Sequence, residues 1–413
     1  MLNCFHVFLL YRSFPAFSRL ATLGLIALSA FQVQAERVWG VNGHPNYQEY
    51  RVWLPAEVKR QYDYLDDLGA GYYRVSFSES KNDPSVLASL FPESRNHTPP
   101  IQLLPIIFVD PVPSAGYQSN YDAGYAHGKR WADYALNAGF NITHWELGNE
   151  TSLASIKVRD RSSNDPNATK MVPMFKKCDG CLGIKESEWT YASEFPGAYD
   201  AMAGVLRGMY WGVKNAYKAR GKSVTLLFGD TWAHFGYVRK IMSVRNANFF
   251  PGDVLSWHWY SPSFNNSSKG FTTPLIPGYS NTIPAILAKG FGKDIWMTEI
   301  GREDKQRLAN GTYRPIGGSA VNVTSPDQNW SFQATELQAL LNDLITVPEI
   351  KAIFVYQLYD EKYTFATSSM ELRSSQAYYG LVAIDGLNML ENKANYYKKD
   401  AFITYKNFIR VYP

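Results

Sequence analysis

Ile142-Thr143-His144-Trp145-Glu146-Leu147-Gly148-Asn149-Glu150 is a short apolar run that breaks at a glycine and closes on a carboxylate. A polar connection, residues 151–194, follows it. An amphipathic stretch from about 198 to 221 comes next, with Met202, Val205, Met209 and Val213 on one side. Strand, long loop and helix in that order make one unit of a buried parallel sheet.

Seven further runs of the same kind lie at residues 37–41, 71–77, 101–109, 224–230, 254–260, 295–299 and 353–358. Helical patterns fall between them. Pro55 opens a helix that Gly69 ends, with Val58, Tyr62, Leu65 and Leu68 as its apolar stripe. Leu337, Leu340, Leu341 and Leu344 repeat at helical spacing, and a closing helix is expected over 393–409. Eight strands alternating with helices predict an α/β chain, a closed (β/α)8 TIM barrel. An open doubly wound sheet would want a glycine-rich phosphate loop after its first strand, and Gly40-Val41-Asn42-Gly43-His44-Pro45 is not one. The connections at 78–100, 151–194, 261–281, 302–329 and 359–378 are long and polar. In a barrel they share one face, the face that carries active sites.

Residues 1–35 read as a signal peptide. Arg12 and Arg19 precede an apolar run from 20 to 30, and Val33-Gln34-Ala35 is a small-residue cleavage site. An uncleaved N-terminal anchor is the alternative. Residues 36–413 then form a single catalytic domain, secreted or periplasmic, with no stable membrane span after cleavage. The chain has 41 basic residues against 37 acidic ones, or 39 basic once Arg12 and Arg19 are set aside. So even a balance argues against nucleic acid as a partner. Aromatic residues make up 15% of the chain, enough to fill a core and also line a groove where flat rings stack on sugars. Nothing in the sequence indicates an oligomeric state.

Cys4 falls in the leader, leaving Cys178 and Cys181. In an oxidising compartment the pair is expected to form a short-range disulfide that pins a loop. A redox-active pair or half a zinc site are the other readings, and no second cysteine pair exists to complete the latter. Sequons such as Asn167-Ala168-Thr169 and Asn310-Gly311-Thr312 are numerous; Asn149-Glu150-Thr151 falls where a glycan would block the candidate site.

Two strand ends carry carboxylates that matter: Glu150, and Glu299 at the end of Ile295-Trp296-Met297-Thr298-Glu299. A glycosidic bond is broken with retention by two such groups, one donating a proton to the leaving oxygen and one attacking the anomeric carbon. Asn149 beside the first would hydrogen-bond a sugar 2-hydroxyl. Arg74, inside Tyr72-Tyr73-Arg74-Val75-Ser76, needs an anion, and Glu299 or Glu146 is the available partner. In Ser256-Trp257-His258-Trp259-Tyr260, His258 and Tyr260 share a face while Trp257 and Trp259 point to the helices. His258 as a satisfied core histidine is the plainer reading. Tyr356 in Val355-Tyr356-Gln357-Leu358-Tyr359-Asp360 is placed to floor a sugar site. Glu146, expected on the same strand face as Glu150, is assigned a structural role inside the barrel.

With these residues in order, the chain resembles the clan of retaining (β/α)8 glycoside hydrolases that includes the cellulase, xylosidase and heparanase families. The pattern of that clan reads here as Arg74 on strand two, Asn149-Glu150 ending strand four, His258-x-Tyr260 on strand six and Glu299 ending strand seven. Trp145-Glu146-Leu147-Gly148-Asn149-Glu150 resembles the heparanase-like and arabinofuranosidase-like members. Gly40-Val41-Asn42 and Leu68-Gly69-Ala70-Gly71-x-x-Arg74-Val75 resemble family 39, and 379–386 resembles the last turn of several members. Two positions depart: Thr151 stands where proline usually follows the acid/base, and Tyr356 where many members carry tryptophan. The resemblance implies a carbohydrate substrate, with Glu299 as nucleophile, Glu150 as acid/base, and no metal or cofactor. A carbohydrate-binding barrel without turnover and a transglycosylase using the same two residues are the other functional readings. A metal-dependent lyase would need clustered His and Asp ligands that His258 alone does not supply.

Overall fold

Strand β1 (Val38–Gly43) starts the barrel in a computed structural model that describes residues 37–76, 84–159, 168–260, 287, 289–302, 305–307, 313–315, 330–361, 379–388, 391 and 393–413. The expected signal peptide and the two sequon asparagines Asn167 and Asn310 lie outside the described residues. One compact unit spans Arg37–Pro413. The other barrel strands are β2 (Tyr72–Ser76), β3 (Gln102–Ile107), β4 (His144–Leu147), β5 (Thr225–Thr231), β6 (Val254–Tyr260), β7 (Ile295–Gly301) and β8 (Ile350–Val355). They pair in parallel, each with its sequence neighbours, and β8 closes on β1. The fold is the expected α/β barrel.

Helices α1 (Pro55–Leu68), α2 (Pro84–Ser94), α3 (Gly116–Asn137), α4 (Ala198–Lys218), α5 (Phe235–Ser243), α6 (Trp330–Ile345) and α7 (Asp400–Val411) lie in the connections between the strands and after them. Pro55 and Gly69 bound α1 as their chemistry predicts. Gly69 adopts φ 80°, and its N–H closes on Asp66 O at 2.9 Å. Helices α3 and α4 pack closely against each other. A Cβ built on Gly208 would meet Tyr121 O at 2.1 Å, so the glycine is what lets the two backbones touch. No helix among the described residues is long and apolar enough to cross a membrane.

Several boundaries differ from expectation, and three of the differences matter for the site or the fold. Strand β4 ends at Leu147, so Glu150 lies in the loop beyond it and does not share a strand face with Glu146. Strand β8 sits three residues earlier than 353–358. Residues 393–398, expected to open the last helix, are an edge strand paired antiparallel with Val382–Asn388, and α7 begins only at Asp400. Tyr396 and Tyr397 suit a strand better than a helix, and that preference decides the boundary.

Side chains pointing into the barrel change character along its axis. The lower half holds Leu104, Leu227, Trp296, Ala352 and Phe354, with Phe354 filling the space that a side chain on Gly40 would need. The upper half holds Asn42, Arg74, Glu146, His258 and Glu299, all buried. The apolar half seals the floor, and the charged half opens towards the long loops.

Candidate active site

Arg74 organises the charged layer. Register places it beside Asn42 on β1 and Leu104 on β3. Its Nε donates to Glu146, its Nη1 to Glu299 Oε1 at 2.5 Å and Asn42 Oδ1 at 2.7 Å, and its Nη2 to Asn149 Oδ1 at 2.8 Å. Burial alone would lower its pKa, but the charges of Glu146 and Glu299 reverse that and raise it. For Glu146 burial pushes up, and Arg74 with His258 overcomes it, holding the carboxyl at about 2. Glu146 also accepts from Thr298 Oγ1 at 3.2 Å.

Glu299 reaches the same layer through a bulge. Trp257 pairs with Met297 but His258 pairs with Glu299, so one extra residue, Thr298, is inserted in β7. Thr298 and Glu299 both therefore send side chains inward, one to Glu146 and the other to Arg74. Tyr260 donates its hydroxyl to Glu299 Oε2. The alternation expected on β6 holds: Trp257 stacks on Phe235 of α5, ring centroids 5.2 Å apart, while His258 and Tyr260 face the site.

His258 Nδ1 stands between the two candidate catalytic groups, 3.1 Å from Glu150 Oε1 and 3.5 Å from Glu299 Oε2. Burial would lower its pKa, but Glu299, Glu146 and Glu150 raise it to about 10. Its Nε2 also lies 3.3 Å from Arg74 Nη2, so the ring is packed between the guanidinium and the carboxylates. One ligand atom each of Glu150, His258 and Glu299 lie within 4.8 Å of one another. That spacing suits a metal site, and it equally suits two carboxyl groups sharing one histidine between them.

Glu150 adopts φ 45°, ψ 51° after Gly148 at φ 80°. These two left-handed residues turn the chain back over the barrel mouth. The Glu150 side chain is 24% exposed, against 7% for Glu299 and 1% for Glu146. Phe108, Asp110, Asn149, Glu150, Thr151 and Leu153 line the cleft outside it. Tyr356 is buried with its ring edge-on to Tyr260 and Tyr379, both at 5.8 Å, forming an aromatic wall beside Glu299.

The structure thus brings together Arg74, Asn149, Glu150, His258, Tyr260, Glu299 and Tyr356. Cys178 and Cys181 stand apart from them in the loop after β4, joined as a disulfide with Cα atoms 5.4 Å apart. Three contributors carry no role in the sequence reading. Asn42 fixes Arg74 and Thr298 O, and its place in Gly40-Val41-Asn42 at a strand end was the available signal. Glu361, fully buried, meets His44 Nδ1 at 2.6 Å beside the Tyr356 ring. Asp230 lies one residue before the end of β5 and faces the loop that follows Glu150.

No protein-family model matches the chain, and no curated protein does. Solved structures do match in fold. One is a structure of two fungal β-1,4-galactanases, with 13% identity, 91% of this chain and all of that one covered, and a TM-score of 0.54. A GH2 β-galacturonidase from Eisenbergiella tayi bound to galacturonate matches 91% of this chain with a TM-score of 0.51 and 13% identity. The present chain spans about half (51%) of that enzyme's length. The Bacteroides uniformis β-glucuronidase 2 matches 90% of this chain and 34% of its own, at 13% identity and a TM-score of 0.50.

Proposed function

We propose that the chain is a glycoside hydrolase that cleaves O-glycosidic bonds of an oligosaccharide or polysaccharide with retention, exported and working outside the cytoplasm. One observation carries the reading: one oxygen of Glu150 and one of Glu299 lie within 4.8 Å of each other, a nearest-atom distance that suits the closer of the two carboxyl spacings. Retaining enzymes hold their carboxyl groups roughly 5–5.5 Å apart, whereas inverting ones leave about 6.5–9.5 Å for a water. The fold likeness to barrels named galactanase, galacturonidase and glucuronidase supports a sugar substrate.

In this mechanism a Glu299 oxygen bonds to the anomeric carbon as the bond to the leaving oxygen breaks. Glu150 transfers its proton to that oxygen. A water then attacks the anomeric carbon, Glu150 takes its proton, and the ester to Glu299 breaks, so both residues return to their starting state. The assignment follows access. Glu299 is buried among donors from Arg74 and Tyr260, as a nucleophilic carboxylate requires. Glu150 has the solvent access needed to exchange protons. Asn149, its carbonyl held by Arg74, keeps an amide that can donate to a sugar hydroxyl.

Proton NMR of the first product formed from an aryl glycoside tests the reading. The first anomer should match the substrate's configuration; the opposite anomer would exclude double displacement.

A further inference from the structure

We propose that Asp230 is a positioning residue for Glu150, holding the acid/base in its left-handed backbone conformation through Thr151 and Ser152. The proposal rests on the reading of Glu150 as acid/base.

A non-glycine residue at φ 45° is strained, and such strain persists only when the surroundings over-determine it. Asp230 supplies the determination. Its carboxylate, 1% exposed, accepts the Ser152 N–H at 2.9 Å, the Ser152 hydroxyl at 2.5 Å, the Thr151 hydroxyl at 3.4 Å and the Thr231 N–H at 2.8 Å. The two residues directly after Glu150 are therefore tied to one buried charge on the neighbouring strand β5. Leu153 N donates to Glu150 O at 2.8 Å and closes the turn from the other side.

Two flanking groups hold the clamp itself. Tyr237 donates its hydroxyl to Thr151 Oγ1 at 3.2 Å. His234 Nδ1 lies 2.8 Å from Ser152 Oγ, whose only proton already goes to Asp230, so His234 must be the donor through Nδ1–H. This gives position 151 a reason to be threonine. Proline there would restrict the backbone but leave Asp230 and Tyr237 without that hydroxyl.

The consequence is specific to proton transfer. If the clamp is loosened, Glu150 moves while Glu299, held by Arg74 and Tyr260, does not. Glycosylation of substrates that need a protonated leaving group should suffer, and those with a good leaving group should not.

The test compares Asp230→Asn with wild type on aryl glycosides of graded leaving groups, using the sugar that wild type cleaves fastest. Asn keeps the shape but turns amide hydrogens towards the Thr151 and Ser152 donors. Expected is a loss of about 100-fold in kcat/KM on phenyl glycosides, as for a displaced catalytic group, and under about five-fold on 2,4-dinitrophenyl glycosides. Equal loss on both, or loss on neither, overturns the proposal. Glu150→Gln is the control. If it shows no leaving-group dependence, the acid/base assignment fails; if it does and Asp230→Asn does not, only the positioning role fails. Should Asp230→Asn melt before assay, Ser152→Ala decides by the same ratio, with a smaller selective loss supporting the clamp and an unselective or absent loss refuting it.

Discussion

Arg74 and Glu299 meet at 2.5 Å deep in the barrel, from strands that are not neighbours. The contact sets the nucleophile's orientation and ties it to Glu146 and Asn149, which the same guanidinium holds. Replacing Arg74 by Met leaves buried carboxylates without their cation, and such a break costs about 3–5 kcal/mol. Arg74→Lys keeps a charge but cannot fork to four partners. Both variants should lower the melting temperature, Met more than Lys, and both should lose most turnover. Thermal melts and steady-state rates check this.

His258 in the site, and His127 and His144 away from it, should give stability opposite slopes with pH. His258 has its folded pKa raised to about 10, so its contribution is full below about 6.5 and is lost as pH rises towards 10. His127 and His144 are buried neutral, with pKa lowered to about 4 mainly by desolvation. Their contribution is full above about 6.5 and is lost as pH falls towards 4. Urea midpoints should therefore fall on both sides of about pH 6.5. His258→Gln should flatten the alkaline arm, and His144→Asn should flatten part of the acid arm.

The α3–α4 contact predicts a result independent of any activity. Helix propensity alone would favour Gly208→Ala by about 1 kcal/mol. The added Cβ meets Tyr121 O at 2.1 Å, and backbone cannot swing away as a side chain can. Overpacking of about 1–3 kcal/mol should win, and the melting temperature should fall. A stabilised variant would mean that the helices can separate.

The Cys178–Cys181 bond closes a very short loop, so its entropic contribution is only about 2 kcal/mol. Its effect should be local. Lys177 Nζ donates to Cys181 O at 2.5 Å, and Gly183 beyond it packs against His234. The double serine variant should melt within a few degrees of wild type. The loop begins at Thr151 and Leu153, which line the cleft, so it is read as one wall of it. The variant should lose affinity for long substrates more than turnover of small aryl glycosides; equal loss on both would count against that wall role.

What the sequence made legible follows from periodicity and from chemistry that cannot be neutral. Arg74 inside an apolar strand demanded an anion, and Glu299 and Glu146 supply it. The alternation at 256–260 correctly separated His258 and Tyr260 from the tryptophans. What stayed hidden was set by tertiary structure. Glu150 reaches the site by two left-handed residues, not by strand alternation, so no face count along 142–150 could have placed it. The bulge at Thr298 likewise breaks the period on which a register argument depends. Helices α2, α3 and α5 escaped notice because Pro92, the glycines of α3 and the shortness of α5 weaken their patterns. Asp230 looked like any strand-end acid, since its partners come from a loop rather than from its own strand.

The central claim is that Glu299 forms a covalent bond with the sugar. Intact-protein and peptide mass spectrometry after incubation with a panel of 2-deoxy-2-fluoroglycosyl fluorides tests it most directly. The account predicts one added glycosyl mass, located on the peptide containing Glu299 and absent in Glu299→Gln. A label on Glu150 or Glu146, with Glu299 unmodified, would contradict it.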